Sequence, residues 1–213
     1  FDKRPDVDTD FPHIRINLHI DADNNCTISL DSSGDPLFKR GYRDSRSIAP
    51  IKEDLAAGLI LLSDWDKKSN LLDLFCGIGN FSLVLAKQAK SVIGVEGVTS
   101  AVAMAAQNAQ TNSITNAQFH CFDLTQSIQS APWFSKNLDV LVLDPSRTGA
   151  MAVLEQLSLK QFKTILYVSC DPVTLARDSA IISQAGFDLN KIGLMNMFPH
   201  TGHIETMALF QRR

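Results

Sequence analysis

The chain has 213 residues, 45% of them apolar, with 20 Lys and Arg against 23 Asp and Glu and a formal net charge of −3. That length suits one large domain, or one domain with a small appendage, and the apolar content is enough for a substantial core. The charge balance excludes a global basic field of the kind that advertises nucleic acid, while leaving room for a local patch. Cys26, Cys76, Cys121 and Cys170 form no Cys-x-x-Cys pair, which argues against a zinc site or an iron–sulfur cluster built from them. No stretch reads as a signal peptide and no apolar run is long enough to span a bilayer. The expectation is a reduced, cytoplasmic, monomeric protein with no metal.

Taken in chain order, the polar "FDKRPDVDTD" gives way to "IRINLHID" and, after "ADNN", "CTISLD". Both runs alternate apolar and polar residues and predict a β-hairpin. A basic turn follows, with Lys39, Arg40, Arg43 and Arg46 and, beyond it, Lys52. "APIKEDLAAGLILLSDW" then predicts a helix with Pro50 near its first turn and Leu55, Leu59 and Leu62 on one face. From Leu71 the pattern becomes strand and helix in alternation: "LLDLF", "GIGNFSLVLAKQA", "SVIGVE", "TSAVAMAAQNAQTN" with Thr99 or Ser100 as candidate cap, "AQFHCFD", "LDVLVLDP", "KTILYVSCDP" and "VTLARDSAIISQAG". Gly186 is its predicted stop. "FDLNKIGLMNMF" and "IETMALFQ" close the chain as two strands joined by a loop. Repeated β–α units predict an α/β, Rossmann-like, doubly wound parallel sheet, and the final pair predicts an antiparallel hairpin at its edge. The chain is read as an extension over residues 1–70, holding the hairpin, basic turn and helix, followed by a catalytic domain over 71–213.

Three strands carry acids toward one edge: Asp73 in the first, Glu96 ending the second and Asp123 ending the third. "DLFCGIGNF" places Gly77 and Gly79 in the first strand-to-helix turn, where a missing side chain lets a ligand approach the backbone. Glu96 follows about 20 residues later, the spacing of a ribose-binding acid. Asp123 is a candidate acceptor for an exocyclic adenine amine. A dinucleotide fingerprint wants a third glycine, and "GIGNF" lacks it. "D-L-F-C-G-x-G-x-F" resembles instead the first motif of S-adenosylmethionine-dependent methyltransferases, which implies that cofactor near Asp73, Gly77, Gly79, Glu96, Asp123 and Asp144. The plainer alternative is an α/β fold whose glycines serve tight turns only.

The remaining chemistry sits at three later strand ends: "LDPSRTG", "VSCDP" and "FPHTGHIE", with Asp144, Arg147, Cys170, His200, His203 and Glu205. Alone, a cysteine is most often a small buried hydrophobe. Two histidines with one carboxylate are too thin a donor set for a metal. A thiol, a carboxylate and an arginine around a methyl donor suggest something more specific. C5 of uracil is a poor nucleophile, but adding a thiolate to C6 makes C5 an enolate carbanion equivalent that can take up a methyl group. A base must then remove the C5 proton so that the thiolate can leave.

With "LLDLFCGIGNF", "VIGVEGV", "LDPSRTGA", "YVSCDPVTLARD" and "MFPHTGHIETMALF" in sequence, residues from about 71 to 213 resemble the RNA uracil-C5 methyltransferases, and most closely the bacterial enzymes that act on 23S ribosomal RNA. The resemblance implies a seven-stranded methyltransferase sheet and a ribosomal RNA substrate presenting a single-stranded or flipped-out uridine. It makes Cys170 the nucleophile, Glu205 the base for the C5 proton, Asp144 the carboxylate that orients uracil and cofactor, and Glu96 the ribose acid. Arg147 and Arg177 are candidates for holding the cysteine as thiolate, and Lys39, Arg40, Arg43 and Arg147 for contacting RNA. The family usually has Asn after this cysteine. Asp171 stands there instead, an added anion expected to raise the thiol pKa unless Arg147 or Arg177 compensates.

Upstream, residues from about 12 to 65 resemble the segment that precedes the catalytic motifs in 23S ribosomal RNA guanine-N2 methyltransferases. Asp144-Pro145-Ser146-Arg147 stands where that family has its catalytic Asn/Asp-Pro-Pro-Tyr/Phe. The chain therefore reads as two related methyltransferases joined near Lys68–Leu72, as in an engineered chimera, a truncated form that omits domains, or a natural recombinant. Guanine-N2 methylation, needing no cysteine, is the alternative activity. A cofactor- and RNA-binding core with little turnover is the alternative class.

Overall fold

The computed structural model of the chain describes residues 15–31, 58, 60, 65, 67–129, 131–134, 137–196 and 204–213. The chain divides into two compact units, Phe1–Gly41 and Tyr42–Arg213. In the first, β1 (Arg15–Ile20) and β2 (Cys26–Asp31) pair antiparallel. The register sets Ile16 opposite Leu30 and Leu18 opposite Ile28, so the alternation read in the sequence gathers the apolar residues on one face. Asp21 closes the turn by accepting the backbone amides of Asp23 and Asn25. The predicted helix after Pro50 falls largely outside the described residues, and the basic residues Lys39, Arg40, Arg43, Arg46 and Lys52 wholly so; of that predicted stretch Gly58 and Ile60 are described, both helical, and Trp65, which is not.

The second unit is a seven-stranded sheet in the order β5-β4-β3-β6-β7-β9-β8. Its strands are β3 (Asn70–Leu74), β4 (Ser91–Glu96), β5 (Ala117–Cys121), β6 (Val140–Leu143), β7 (Thr164–Ser169), β8 (Phe187–Met195) and β9 (Glu205–Arg212). The first five pair parallel. The last strand inserts antiparallel between β7 and β8. Helices α1 (Asn80–Ala86), α2 (Thr99–Thr111), α3 (Met151–Leu154) and α4 (Pro172–Gln184) connect them, with a short 3-10 turn at Leu159–Gln161. The continuous apolar run of β6, Val-Leu-Val-Leu, is buried throughout, as expected of a strand covered on both faces. Alternate residues feed two cores. Leu72, Leu74, Leu141, Leu143, Ile165 and Tyr167 pack with Leu175 and Ile182 of α4. Leu71, Val92, Val140, Val142, Leu166 and Val168 pack with Phe81 and Leu85 of α1, and with Ile60 and Trp65 from upstream of β3.

The period-2 pattern thus predicts the sheet, and the two terminal strands form the edge hairpin expected. One local expectation fails. Neither Thr99 nor Ser100 caps α2; the cap position is Val98, which has no side-chain cap. The Glu96 carboxylate accepts the Val98 amide instead, at 3.1 Å. No helix among the described residues is long and apolar enough to cross a membrane.

Candidate active site

In parallel sheets, ligands gather beyond the carboxyl ends of the strands where the strand order reverses. Here that point lies between β3 and β6. A cleft of about 430 Å³ opens there, walled by Phe75 after β3, Glu96 and Gly97 after β4, Asp123 after β5, and Gly149 and Ala150 after β6. Phe75 holds a positive φ of 63°, a conformation that costs a bulky residue about 1–3 kcal/mol and is kept where the surroundings over-determine it. It leaves the end of β3 as a turn residue with its ring against the apolar core.

Of the acids read from the sequence, Glu96 and Asp123 line this cleft. Each Glu96 oxygen already accepts one backbone amide, Gly77 at Oε2 and Val98 at Oε1, both at 3.1 Å. A carboxylate has about four lone-pair sites, so the side chain is fixed and still able to accept hydroxyls. Asp123 accepts the Thr125 hydroxyl at 2.7 Å and its amide at 2.9 Å, and these bonds, the hydroxyl's first, hold its carboxyl below the usual range. Acids on two sides, an aromatic ring and this volume fit an adenosyl group.

Asp73, Gly77 and Gly79, read with them from the sequence, are not among the residues that line the cleft. Asp73 is fully buried, with Oδ2 accepting the Ser82 hydroxyl at 2.5 Å and Oδ1 without a hydrogen-bond partner. Burial pushes its carboxyl up to about 7 against the opposing Ser82 bonds. Gly77 has a φ of +54°, and its amide is the one that anchors Glu96. At Gly79, the N-cap of α1, φ is +92° and an added Cβ would meet Leu83 at 3.2 Å, so the left-handed turn into α1 needs a residue without a side chain.

The second group of residues meets at the same edge. The register pairs Ser169 with Thr206, so Cys170, one residue beyond, stands beside Glu205 across adjacent antiparallel strands. Asp144 follows β6, the neighbour of β7. Burial, then the charges of Asp73 and Glu205, push the Asp144 carboxyl up to about 8, although the residue keeps some exposure. Cys170 is half-buried. Burial and then Glu205 raise its thiol pKa, while Arg147 opposes them. The thiol therefore rests protonated, within the field of two carboxyls.

Asp171 has a different place from the one its sequence suggests. Its carboxylate caps α4, accepting the amides of Val173 at 2.9 Å and Thr174 at 3.1 Å. An N-cap satisfies helix donors that have no partner of their own, and Asp and Asn do this equally well. Arg177, read as a candidate partner of the thiol, is bound elsewhere: it pairs with Asp178 and donates to the Thr148 carbonyl. The sequence reading missed the buried Asp178 and the wall formed by Thr148–Ala150 and Arg177. Among the described residues no group of His, Cys, Asp and Glu is arranged to hold a metal ion. His200 and His203 lie outside them.

The family model for tRNA (uracil-5-)-methyltransferases matches residues 59–213. The chain belongs to this family. The match begins upstream of the junction read near Lys68–Leu72, so Ile60 and Trp65 already lie within the segment that the family shares. The chain is 88% identical over 144 residues to the 23S rRNA (uracil(1939)-C(5))-methyltransferase RlmD of Pseudoalteromonas translucida, covering 68% of this chain and 33% of that protein. It is 48% identical over 166 residues to RlmD of Xanthomonas axonopodis pv. citri, covering 78% and 37%. It thus spans about a third of the length of these relatives. Among solved structures, the Pyrococcus abyssi tRNA (uracil-54, C5)-methyltransferase in complex with S-adenosyl-L-homocysteine matches at 27% identity with a TM-score of 0.63, over 78% of this chain and 40% of that one. Precorrin 8w decarboxylase of Methanobacterium thermoautotrophicum shares the fold at 16% identity and a TM-score of 0.62, over 81% and 97%. The seven-stranded α/β sheet is the one expected from the sequence, and the family's named members are RNA uracil-C5 methyltransferases.

Proposed function

We propose that this chain carries the catalytic core of an S-adenosylmethionine-dependent enzyme that methylates C5 of a uridine in 23S ribosomal RNA. The observation that carries the reading is the register of β7 against β9, which puts Cys170 beside Glu205 at the cleft edge of the sheet. When bound, S-adenosylmethionine supplies an electrophilic methyl group. Glu96 would hold its ribose and Asp123 its adenine amine, with Phe75 against the base.

The Cys170 thiol releases its proton to water, and the thiolate sulfur bonds to C6 of the uracil, moving the C5=C6 electron pair toward C5 and O4. After C5 has been methylated it carries both a hydrogen and a methyl group. The Glu205 carboxylate takes that hydrogen as a proton, the C5=C6 bond re-forms, and the S–C6 bond breaks to return the thiolate. Asp144, with its carboxyl raised to about 8, is protonated at neutral pH and able to donate a hydrogen bond to the uracil. The base must leave any stack to reach the thiol, and Arg147, exposed after β6, stands where a phosphate or the flipped uridine would arrive. Lys39, Arg40 and Arg43 are the further candidates for RNA contact.

The test is transfer of labelled methyl from S-adenosylmethionine to 23S ribosomal RNA fragments, followed by mapping of the modified base. 5-Methyluridine formed by the wild type and not by Cys170→Ala is expected. A methylated guanine, or activity that survives Cys170→Ala, would overturn the reading.

A further inference from the structure

Asp178 lies on the buried stripe of α4 with Leu175 and Ile182, where an aliphatic residue would be ordinary. Its side chain is completely buried and ionisable, yet the uridine chemistry gives it no role. Four bonds converge on it. Oδ2 accepts the Tyr167 hydroxyl and the Ala150 amide, each at 2.6 Å. Oδ1 accepts Nε of Arg177 and pairs with its Nη2, each at 2.8 Å. A buried charge held by that many donors is tolerated, and losing any one donor leaves it undercompensated.

The donors come from places that matter to the site. Ala150 belongs to the cleft wall. Arg177 lines the same cleft, and its Nη2 also donates to the Thr148 carbonyl at 2.9 Å. Between them Gly149 holds a φ of +77°, and an added Cβ would run into Arg177 Nη2 and reach Asp178 Oδ2 at 2.6 Å. Tyr167 lies on β7, three residues before Cys170. One carboxylate therefore ties the cleft wall, the helix capped by Asp171 and the strand of the cysteine to a single point. The same segment leads back through Arg147 to Asp144.

We infer that Asp178, Arg177 and Tyr167 are positioning residues that fix the Thr148–Ala150 wall and so pre-form the cofactor cleft in register with the Cys170 strand. The inference rests on the reading of the cleft as an adenosyl site. A planar guanidinium can serve the Asp178 carboxylate and the Thr148 carbonyl together, whereas a lysine ammonium keeps the charge without that fork. Tyr167→Phe removes one hydroxyl donor at nearly constant volume.

The experiment measures the Kd of S-adenosylhomocysteine by calorimetry for the wild type, Arg177→Lys and Tyr167→Phe, at a temperature well below each unfolding midpoint. Amide hydrogen exchange over residues 146–153 is followed in parallel, without ligand. Arg177→Lys is expected to raise Kd at least tenfold and to speed exchange in that segment. Tyr167→Phe is expected to do the same by about threefold, and it carries the test alone if the lysine variant does not fold. A Kd within twofold of wild type would overturn the inference. So would a raised Kd with unchanged exchange, which would mean that Arg177 touches the ligand directly. If the wild type binds no S-adenosylhomocysteine, the functional reading fails by itself, and the exchange comparison still decides whether this network orders the wall.

Discussion

The buried carboxyl of Asp73 should make the stability of this protein depend on pH in a way that one substitution isolates. Asp73 has no exposed surface, one oxygen bonded to Ser82 and the other without a partner. Burial raises it from 3.8 to about 7, which corresponds to at most about 4 kcal/mol between the two protonation states. Because the folded value is raised, the contribution of this group is fully present below 3.8, where both states are protonated. It is lost progressively as pH rises to about 7, since the unfolded chain ionises first. Asp73→Asn removes the titration. Its amide carbonyl can keep the Ser82 bond, leaving a buried NH₂ without an acceptor at a cost of about 1–3 kcal/mol. Urea unfolding of both proteins from pH 4.5 to 8 should therefore show the variant less stable at the acid end. Between pH 4.5 and pH 8 the difference should shift in its favour by about 3 kcal/mol and then level off. Asp144 adds to the same trend, because Asp73 is the leading charge that raises it. A difference that stays constant across this range, or that moves toward the wild type as pH rises, would refute the assignment of a neutral Asp73 in the folded protein.

Glu96→Ala removes an acceptor held in place by the amides of Gly77 and Val98; S-adenosylhomocysteine binding measured by calorimetry should weaken by about 1.5–3 kcal/mol, the range for a hydrogen bond to a charged group. Asp171→Ala should lower stability by about 1 kcal/mol through loss of the α4 cap. Asp171→Asn, which keeps a cap acceptor, should leave both stability and the titration of the Cys170 thiol close to wild type, as followed by urea unfolding and by pH-dependent alkylation.

Much of the sheet could be read from the chain because its signals are local. Val140–Leu143 is apolar at every position and Leu71–Leu74 nearly so, as strands covered on both faces require, and turn residues bound them. Glu96 and Asp123 were legible for a similar reason: they end strands that can have only one orientation. What was hidden depends on partners distant in sequence. Asp178 follows an arginine in "LARD", and nothing in that local sequence marks it as buried; the partners that hold it, Tyr167 and Ala150, are eleven and twenty-eight residues away. Thr99 looks like a better cap than Val98 until the Glu96 side chain folds over to take the Val98 amide. Asp171 looked like an anion beside a thiol, and a helix N-terminus gives its charge another use. Phe75 carries no mark in sequence of the positive φ that sets it at the cleft.

The most direct test of the account is denaturing electrophoresis of the protein with labelled 23S ribosomal RNA and S-adenosylmethionine, comparing wild type, Glu205→Gln and Cys170→Ala. Glu205→Gln keeps the shape of the side chain and removes the base, so attack and methyl transfer should proceed while release stalls. A protein–RNA adduct that survives denaturation should therefore accumulate with Glu205→Gln and be absent with Cys170→Ala. Normal turnover by Glu205→Gln, or adducts formed without Cys170, would contradict the roles given to the two residues that β7 and β9 bring together.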